Sequence, residues 1–339
     1  MKSSTNRYNH AMGRLTTVVL LLALGPIARA QVIWPALPGG LGVNIHFTDP
    51  KPGEMKLLAD AGFALVRMDL TWSRIESKKG EYDFSAYDRL TKECDAHGLR
   101  VLFILDYSNK LYDDGLSPHT DEGRAAFARW AAESVKHFKN KRIIWEIYNE
   151  PNIDTFWKPK ANSADYVKLA LAAGKAMKDA APGEVQIGPA CSGVDLAFLE
   201  DCVKAGLLEY WSAVSVHPYR QQDPETVADD YRALRMLIRK YGPKDKQIPI
   251  FCGEWGYSSA WSGMDDDAQA RLLSRQWLTN IMNDVPVSIW YDWRDDGNDP
   301  KDPEHHFGTT RNDATTKPAY LAAKTLTTQL HGLVFNKRI

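Results

Sequence analysis

The stretch Ile143-Ile144-Trp145-Glu146-Ile147-Tyr148-Asn149-Glu150-Pro151-Asn152 decides the fold. Its apolar, β-branched opening reads as a buried strand. Proline cannot continue a central strand, so the run stops at Asn149-Glu150-Pro151. A carboxylate, Glu150, therefore stands where a strand gives way to a loop, with the Asn149 amide beside it. Ile248-Pro249-Ile250-Phe251-Cys252-Gly253-Glu254-Trp255-Gly256 repeats the pattern: a short apolar strand ends on one glutamate, flanked by glycine and an aromatic. Taken singly, each glutamate reads as a salt-bridged loop residue. Two of them at strand ends point to paired-carboxylate chemistry.

On both sides of these stretches, strand and helix signals alternate. Strand-like runs occupy 41–47, 65–70, 100–107, 185–188, 213–219 and 287–293, besides the two above. Helical signals follow at about 52–61, 85–98, 121–140, 163–181, 196–208, 227–241, 267–283 and 318–330. The third shows an apolar stripe of Phe127, Trp130, Ala131, Val135 and Phe138, one buried helix face. The second opens with Ser85 and Asp88 at capping-box spacing. Eight strand–helix units predict parallel strands closed into an α/β (β/α)₈ TIM barrel, a single domain. The rival, a doubly wound sheet, wants a glycine-rich phosphate loop after the first strand, and Asn44-Ile45-His46-Phe47 is not one.

In such a barrel the active site lies at the C-terminal strand ends. Both glutamates fall there, on strands four and seven, which face one another across the mouth. Facing carboxyl groups suit glycosidic chemistry: a retaining enzyme needs a narrow gap and an inverting one a wider gap for water.

Residues 1–30 stand apart. Lys2, Arg7 and Arg14 precede the apolar run Val18–Leu24, and Ala28-Arg29-Ala30 follows. That order reads as a secretory signal peptide cleaved after Ala30, leaving residues 31–339 as the folded domain in a periplasmic or secreted location. The run is short for a membrane span, so no membrane attachment is expected after cleavage. The 339-residue chain carries a formal charge of −1; losing four basic residues and no acids takes it to −5. A mildly acidic exported protein is a poor nucleic-acid partner. The cysteines are Cys94, Cys191, Cys202 and Cys252. Cys191 and Cys202 are near enough in sequence to pair across one strand–helix connection, whereas Cys94 and Cys252 read as buried thiols. No Cys or His spacing suggests a zinc site, and neither a metal nor a cofactor is expected.

Asn149-Glu150-Pro151 on strand four, Glu254 on strand seven and His217-Pro218-Tyr219 on strand six resemble the retaining (β/α)₈ glycoside hydrolases of clan A. The resemblance runs from about Leu41 to Leu330. Within the clan the chain looks most like family 39-type bacterial exported endoglycosidases acting on exopolysaccharide. The carriers are Gly42–Phe47, Trp290–Gly297 and Glu304–Gly308. Family 5 cellulase-like enzymes share much of the same pattern.

The resemblance implies a monomeric β-glycosidase acting on a poly- or oligosaccharide by double displacement. Glu150 is then acid/base, with its pKa raised by the charge of Glu254, and Glu254 is nucleophile. Asn149 binds the sugar hydroxyl next to the anomeric carbon, Tyr219 holds Glu254, and Arg67 keeps Glu254 ionised. Other readings stand beside these: Arg67 paired with Asp69 or Glu76, His217 and His46 as hydrogen-bonded structural histidines rather than substrate ligands, and Tyr148 and Glu146 inside the barrel layers. Trp72, Trp157, Trp255, Trp261 and Trp293 lie near strand ends, and Trp293 is the expected stacking platform for a sugar ring. A family 5-like endoglucanase, a transglycosylase using the same carboxylates, and a catalytically silent polysaccharide-binding barrel are the alternatives.

Overall fold

A computed structural model describes residues 39–336; the expected signal peptide lies outside the described residues. The strands are β1 (Leu41–Asn44), β2 (Leu65–Thr71), β3 (Arg100–Asp106), β4 (Ile144–Ile147), β5 (Val185–Ser192), β6 (Ala213–His217), β7 (Ile250–Trp255) and β8 (Ser288–Trp290). Each pairs in parallel with the next, and β8 closes on β1, so the expected TIM barrel is the fold.

The helices are α1 (Glu54–Asp60), α2 (Trp72–Ile75), α3 (Ser85–Ala96), α4 (Asp121–His137), α5 (Ser163–Ala180), α6 (Leu196–Lys204), α7 (Ala228–Tyr241), α8 (Asp266–Met282) and α9 (Pro318–Gln329). Several start where a side chain takes an orphan backbone N–H: Thr120 caps α4, Asn162 α5, Asp195 α6 and Asp265 α8. The capping box expected at Ser85 does not form. Ser85 is already helical, and the Asp83 carboxylate accepts its N–H at 2.9 Å. The short helix α2 lies in what reads from sequence as a loop. No described helix is long and apolar enough to cross a membrane.

Two apolar layers explain the strand composition. Leu65, Leu102, Ile104, Ile144, Ile187 and Phe251 plug the barrel floor. The opposite strand faces pack against the helices with residues such as Val66, Phe103, Trp145 and Trp290. Strands covered on both sides show no apolar–polar alternation. The four cysteines are buried and free, so the pairing considered for Cys191 and Cys202 is absent. Burial pushes the Cys191 thiol up to about 12, which makes it a packing group rather than a reactive one.

Candidate active site

Above the apolar floor the inward strand positions turn polar, and they do so around the two glutamates. β4 ends at Ile147, and the chain then bends through two non-glycine residues at positive φ, Tyr148 (70°) and Glu150 (44°). Such conformations cost about 1–3 kcal/mol each and persist only where the surroundings hold them. Here the Tyr148 N–H donates to the Leu105 carbonyl at 3.0 Å and the Glu150 N–H to the Ala190 carbonyl at 2.9 Å. The Tyr148 hydroxyl lies 2.7 Å from Ser117 Oγ and donates to the Phe156 carbonyl, so this side chain leaves the barrel rather than entering its layers. Glu146 does enter them, fully buried.

Glu254 reaches the mouth by a bulge. Between Cys252 and Trp255, β7 advances three residues while β8 advances two, Ser288 to Trp290. The extra residue lets Gly253 and Glu254 both approach the interior. A Cβ on Gly253 would meet Ser215 Oγ at 2.3 Å and Glu146 Oε1 at 3.0 Å, so only glycine fits beside the carboxylates.

Arg67 joins the two halves. Its Nε donates to Glu146 Oε2 at 2.7 Å, Nη1 to Asn44 Oδ1 at 3.1 Å and to Glu254 Oε2 at 2.7 Å. Its Nη2 donates to Asn149 Oδ1 at 2.9 Å and faces His217 Nε2 at 3.3 Å. All five guanidinium N–H groups are thereby used. The alternative pairing with Glu76 is excluded, because Glu76 instead binds Trp72 and Tyr112. A guanidinium can only donate, so His217 Nε2 accepts and Nδ1–H donates to Glu150 Oε1 at 2.8 Å. The Tyr219 hydroxyl donates to Glu254 Oε1 at 2.8 Å. Burial pushes the Glu254 carboxyl up, but the Arg67 guanidinium and the Tyr219 hydroxyl hold it below the ordinary glutamate range.

The Glu150 and Glu254 side chains are 10% and 13% exposed, enough to be reached from the mouth. One ligand atom each from Glu150, His217 and Glu254 lie within 4.8 Å of one another. His46, Asp292 and Asp296 form a second such group at the ends of β1 and β8. Either set has the spacing of a metal site. In the first, however, both ring nitrogens of His217 are engaged by Glu150 and Arg67. In the second, His46 Nδ1 is hydrogen-bonded to Asp296 at 2.8 Å. Burial lowers the His46 pKa, but Asp296, Asp292 and Asp69 together raise it to about 9.

Seven of the eight residues singled out in the sequence thus meet around one mouth: Glu150, Glu254, Asn149, Arg67, His217, Tyr219 and His46. Trp293 does not. It is 1% exposed, its indole N–H donates to Glu54 Oε1 at 2.9 Å, and it packs edge-on against Phe63 and Tyr320. β8 ends at Trp290, and the chain beyond turns Trp293 outward against α1 and α9. Trp72, Trp157 and Trp255 are equally buried; among the described residues only Trp261 is a partly exposed tryptophan. Truncating Trp293 to alanine is expected to lower stability by about 3–5 kcal/mol in urea unfolding, as for a core aromatic. Sequence reading gave no site role to Asn44, Asp69, Asp106, Asp292 and Tyr291. Asp69 carried a usable signal, since it follows Arg67 by two residues on one strand and so shares its face.

The arrangement is a charged floor, Arg67 and Glu146, beneath two reachable carboxyl groups. The sequence profile of Cellulase (glycosyl hydrolase family 5) matches residues 41–297. The chain belongs to this family. A solved family 39 glycoside hydrolase from the gut symbiont Bacteroides cellulosilyticus WH2 superposes with TM-score 0.78 at 27% identity, covering 88% of this chain and 65% of that one. A family 39 β-xylosidase from Caulobacter crescentus gives TM-score 0.69 at 19% identity over 89% of this chain and 73% of its own. The family 39 likeness read in the sequence therefore holds in the fold of this family 5 member. Among curated proteins, a 6-phospho-beta-glucosidase of Dickeya chrysanthemi is 29% identical over 129 residues, 34% of this chain and 27% of the relative. A beta-xylosidase of Geobacillus stearothermophilus is 29% identical over 131 residues, 33% and 25% respectively. The matches span about a quarter of these curated relatives.

Proposed function

We propose that this protein is a retaining β-glycosidase that hydrolyses O-glycosidic bonds of a poly- or oligosaccharide by double displacement. One observation carries the reading: one carboxyl oxygen of Glu150 lies within 4.8 Å of one of Glu254. Retaining enzymes hold the pair about 5–5.5 Å apart and inverting ones about 6.5–9.5 Å, to admit a water.

Glu254 attacks the anomeric carbon. Arg67 and Tyr219 hold it ionised and leave its attacking edge no freedom to rotate. Glu150, oriented by the His217 N–H, protonates the departing oxygen. Forming the glycosyl-enzyme removes the negative charge of Glu254, and Glu150 then ionises and draws a proton from water. Asn149, anchored through its oxygen to Arg67, keeps its amide N–H for the hydroxyl beside the reacting carbon. The names of the relatives, a 6-phospho-beta-glucosidase and a beta-xylosidase, support the β configuration. The basic, apolar and Ala28-Arg29-Ala30 segments support export to the periplasm or medium.

The test is a screen of the purified protein against aryl β-glycosides and bacterial and plant polysaccharides, with Glu150→Gln and Glu254→Gln in parallel. Oligosaccharide release by wild type, absent in both variants, is the expected result. Equal release by all three overturns the assignment.

A further inference from the structure

Asp69 and Asp106 form a second carboxyl pair in the mouth, which the two-glutamate chemistry leaves unused. Register places them together. Leu65, Arg67 and Asp69 share one face of β2, and Leu102, Ile104 and Asp106 share the same face of β3. Leu65, Leu102 and Ile104 belong to the barrel floor, so this face is the inward one and the aspartates stand nearest the mouth. Asp106 is fully buried, and neither of its carboxyl oxygens receives a hydrogen bond from an N–H or O–H of the protein. Its contact is the carboxyl of Asp69, which is only half-buried.

The cations that act on Asp69 are Arg67 and His46. Arg67 has spent all five N–H groups elsewhere, and His46 Nδ1 is bound to Asp296. Glu254 also acts on Asp69, and elsewhere in the mouth Asp292, Asp296 and Glu304 gather about Tyr291, with Asp292 Oδ1 also lacking a donor. Burial first, and then the Asp69 charge, pushes the Asp106 carboxyl well above the usual range. The pair therefore shares one proton, as two touching carboxylates must. A bound cation with several N–H donors, reaching the half-buried Asp69 with Asp106 behind it, supplies the positive charge that the shared proton otherwise provides.

We propose that the Asp69–Asp106 pair recognises an ammonium substituent of the bound sugar, so that the substrate is a saccharide with free amino sugars. This inference rests on the barrel mouth being the saccharide site proposed above. A uronate or sulfated sugar is repelled by the same carboxyl groups. A neutral sugar offers hydroxyl donors but no charge to replace the shared proton.

The test measures binding alone, by calorimetry in the Glu150→Gln background, at a pH where the amine is protonated. The probes are the β-1,4 tetramers of glucosamine and of glucose, which share linkage and length and differ in the amine. The expected result is a preference for the glucosamine tetramer of about tenfold or more, the scale of one charge-assisted hydrogen bond in a partly buried site. The ratio falls to near one in added Asp69→Asn or Asp106→Asn, and raised salt shrinks it. Asparagine copies the shape of a protonated aspartate, and the thermal midpoint of each variant checks folding. If Asp106→Asn fails to fold, Asp69→Asn and the salt dependence decide. Equal binding of the two tetramers, or a preference that survives Asp69→Asn, overturns the proposal. Because turnover is not read, inactive wild-type enzyme would count against the hydrolytic mechanism and leave this comparison intact.

Discussion

Replacing Glu254 with alanine is expected to lower kcat on an aryl β-glycoside by about 10⁴-fold or more, the scale seen when one member of a concerted catalytic unit is lost. Glu150→Ala is expected to cost about 10²–10⁴-fold on poorly leaving aglycones, the usual worth of a positioned general acid, and much less where the leaving group needs no proton. Azide separates the roles by stereochemistry. In Glu254→Ala the nucleophile's face is open, so azide enters from it in one step and gives the α-glycosyl azide. In Glu150→Ala the glycosyl-enzyme still forms, azide displaces Glu254, and the β-glycosyl azide results. Proton NMR of the products reads the difference directly. The same anomer from both variants would falsify the assigned division of labour. The acid limb of kcat/KM is expected below the ordinary glutamate range, because Arg67 and Tyr219 hold Glu254 ionised there.

Glu150 was legible because its apolar run stops at Pro151, which a central strand cannot carry through, and Glu254 because its run closes on one glutamate between glycine and an aromatic. The barrel followed from eight alternations, whose buried faces needed no finer reading than apolar against polar. Arg67 and Tyr219 were legible only through resemblance, since nothing local says what a strand-end arginine will meet. Trp293 was misread for a physical reason. Its position was counted along a strand running to 293, but β8 stops at Trp290, and beyond it the two-residue alternation no longer assigns faces. Nothing local marks Asp106, an acid at the end of β3. Its lack of donors depends on how Arg67 distributes five N–H groups among residues from β1, β4, β6 and β7, and no stretch of sequence contains that count.

Arg67→Met is expected to destabilise the protein by about 3–5 kcal/mol in urea unfolding, because it strands a charge rather than deleting a pair. Glu146 is fully buried, and its Oε1 already lacks a partner. Its Oε2 then loses Arg67 as well. The double variant Arg67→Met/Glu146→Gln is expected to recover most of the loss, since the remaining buried group is neutral. Additive losses would show that the pair is not the origin of the effect. Glu254 separates the structural from the functional consequence. Part of what depresses its pKa is the Arg67 charge, and the methionine removes it. Activity remaining in Arg67→Met/Glu146→Gln should therefore begin at a higher pH than in wild type, with the acid limb moving up as the Glu254 carboxyl takes its proton sooner. Lost packing alone lowers the amount of folded enzyme at every pH alike and leaves that limb where it was. An upward shift in the double variant, at restored stability, would identify Arg67 as the group that keeps Glu254 charged for attack.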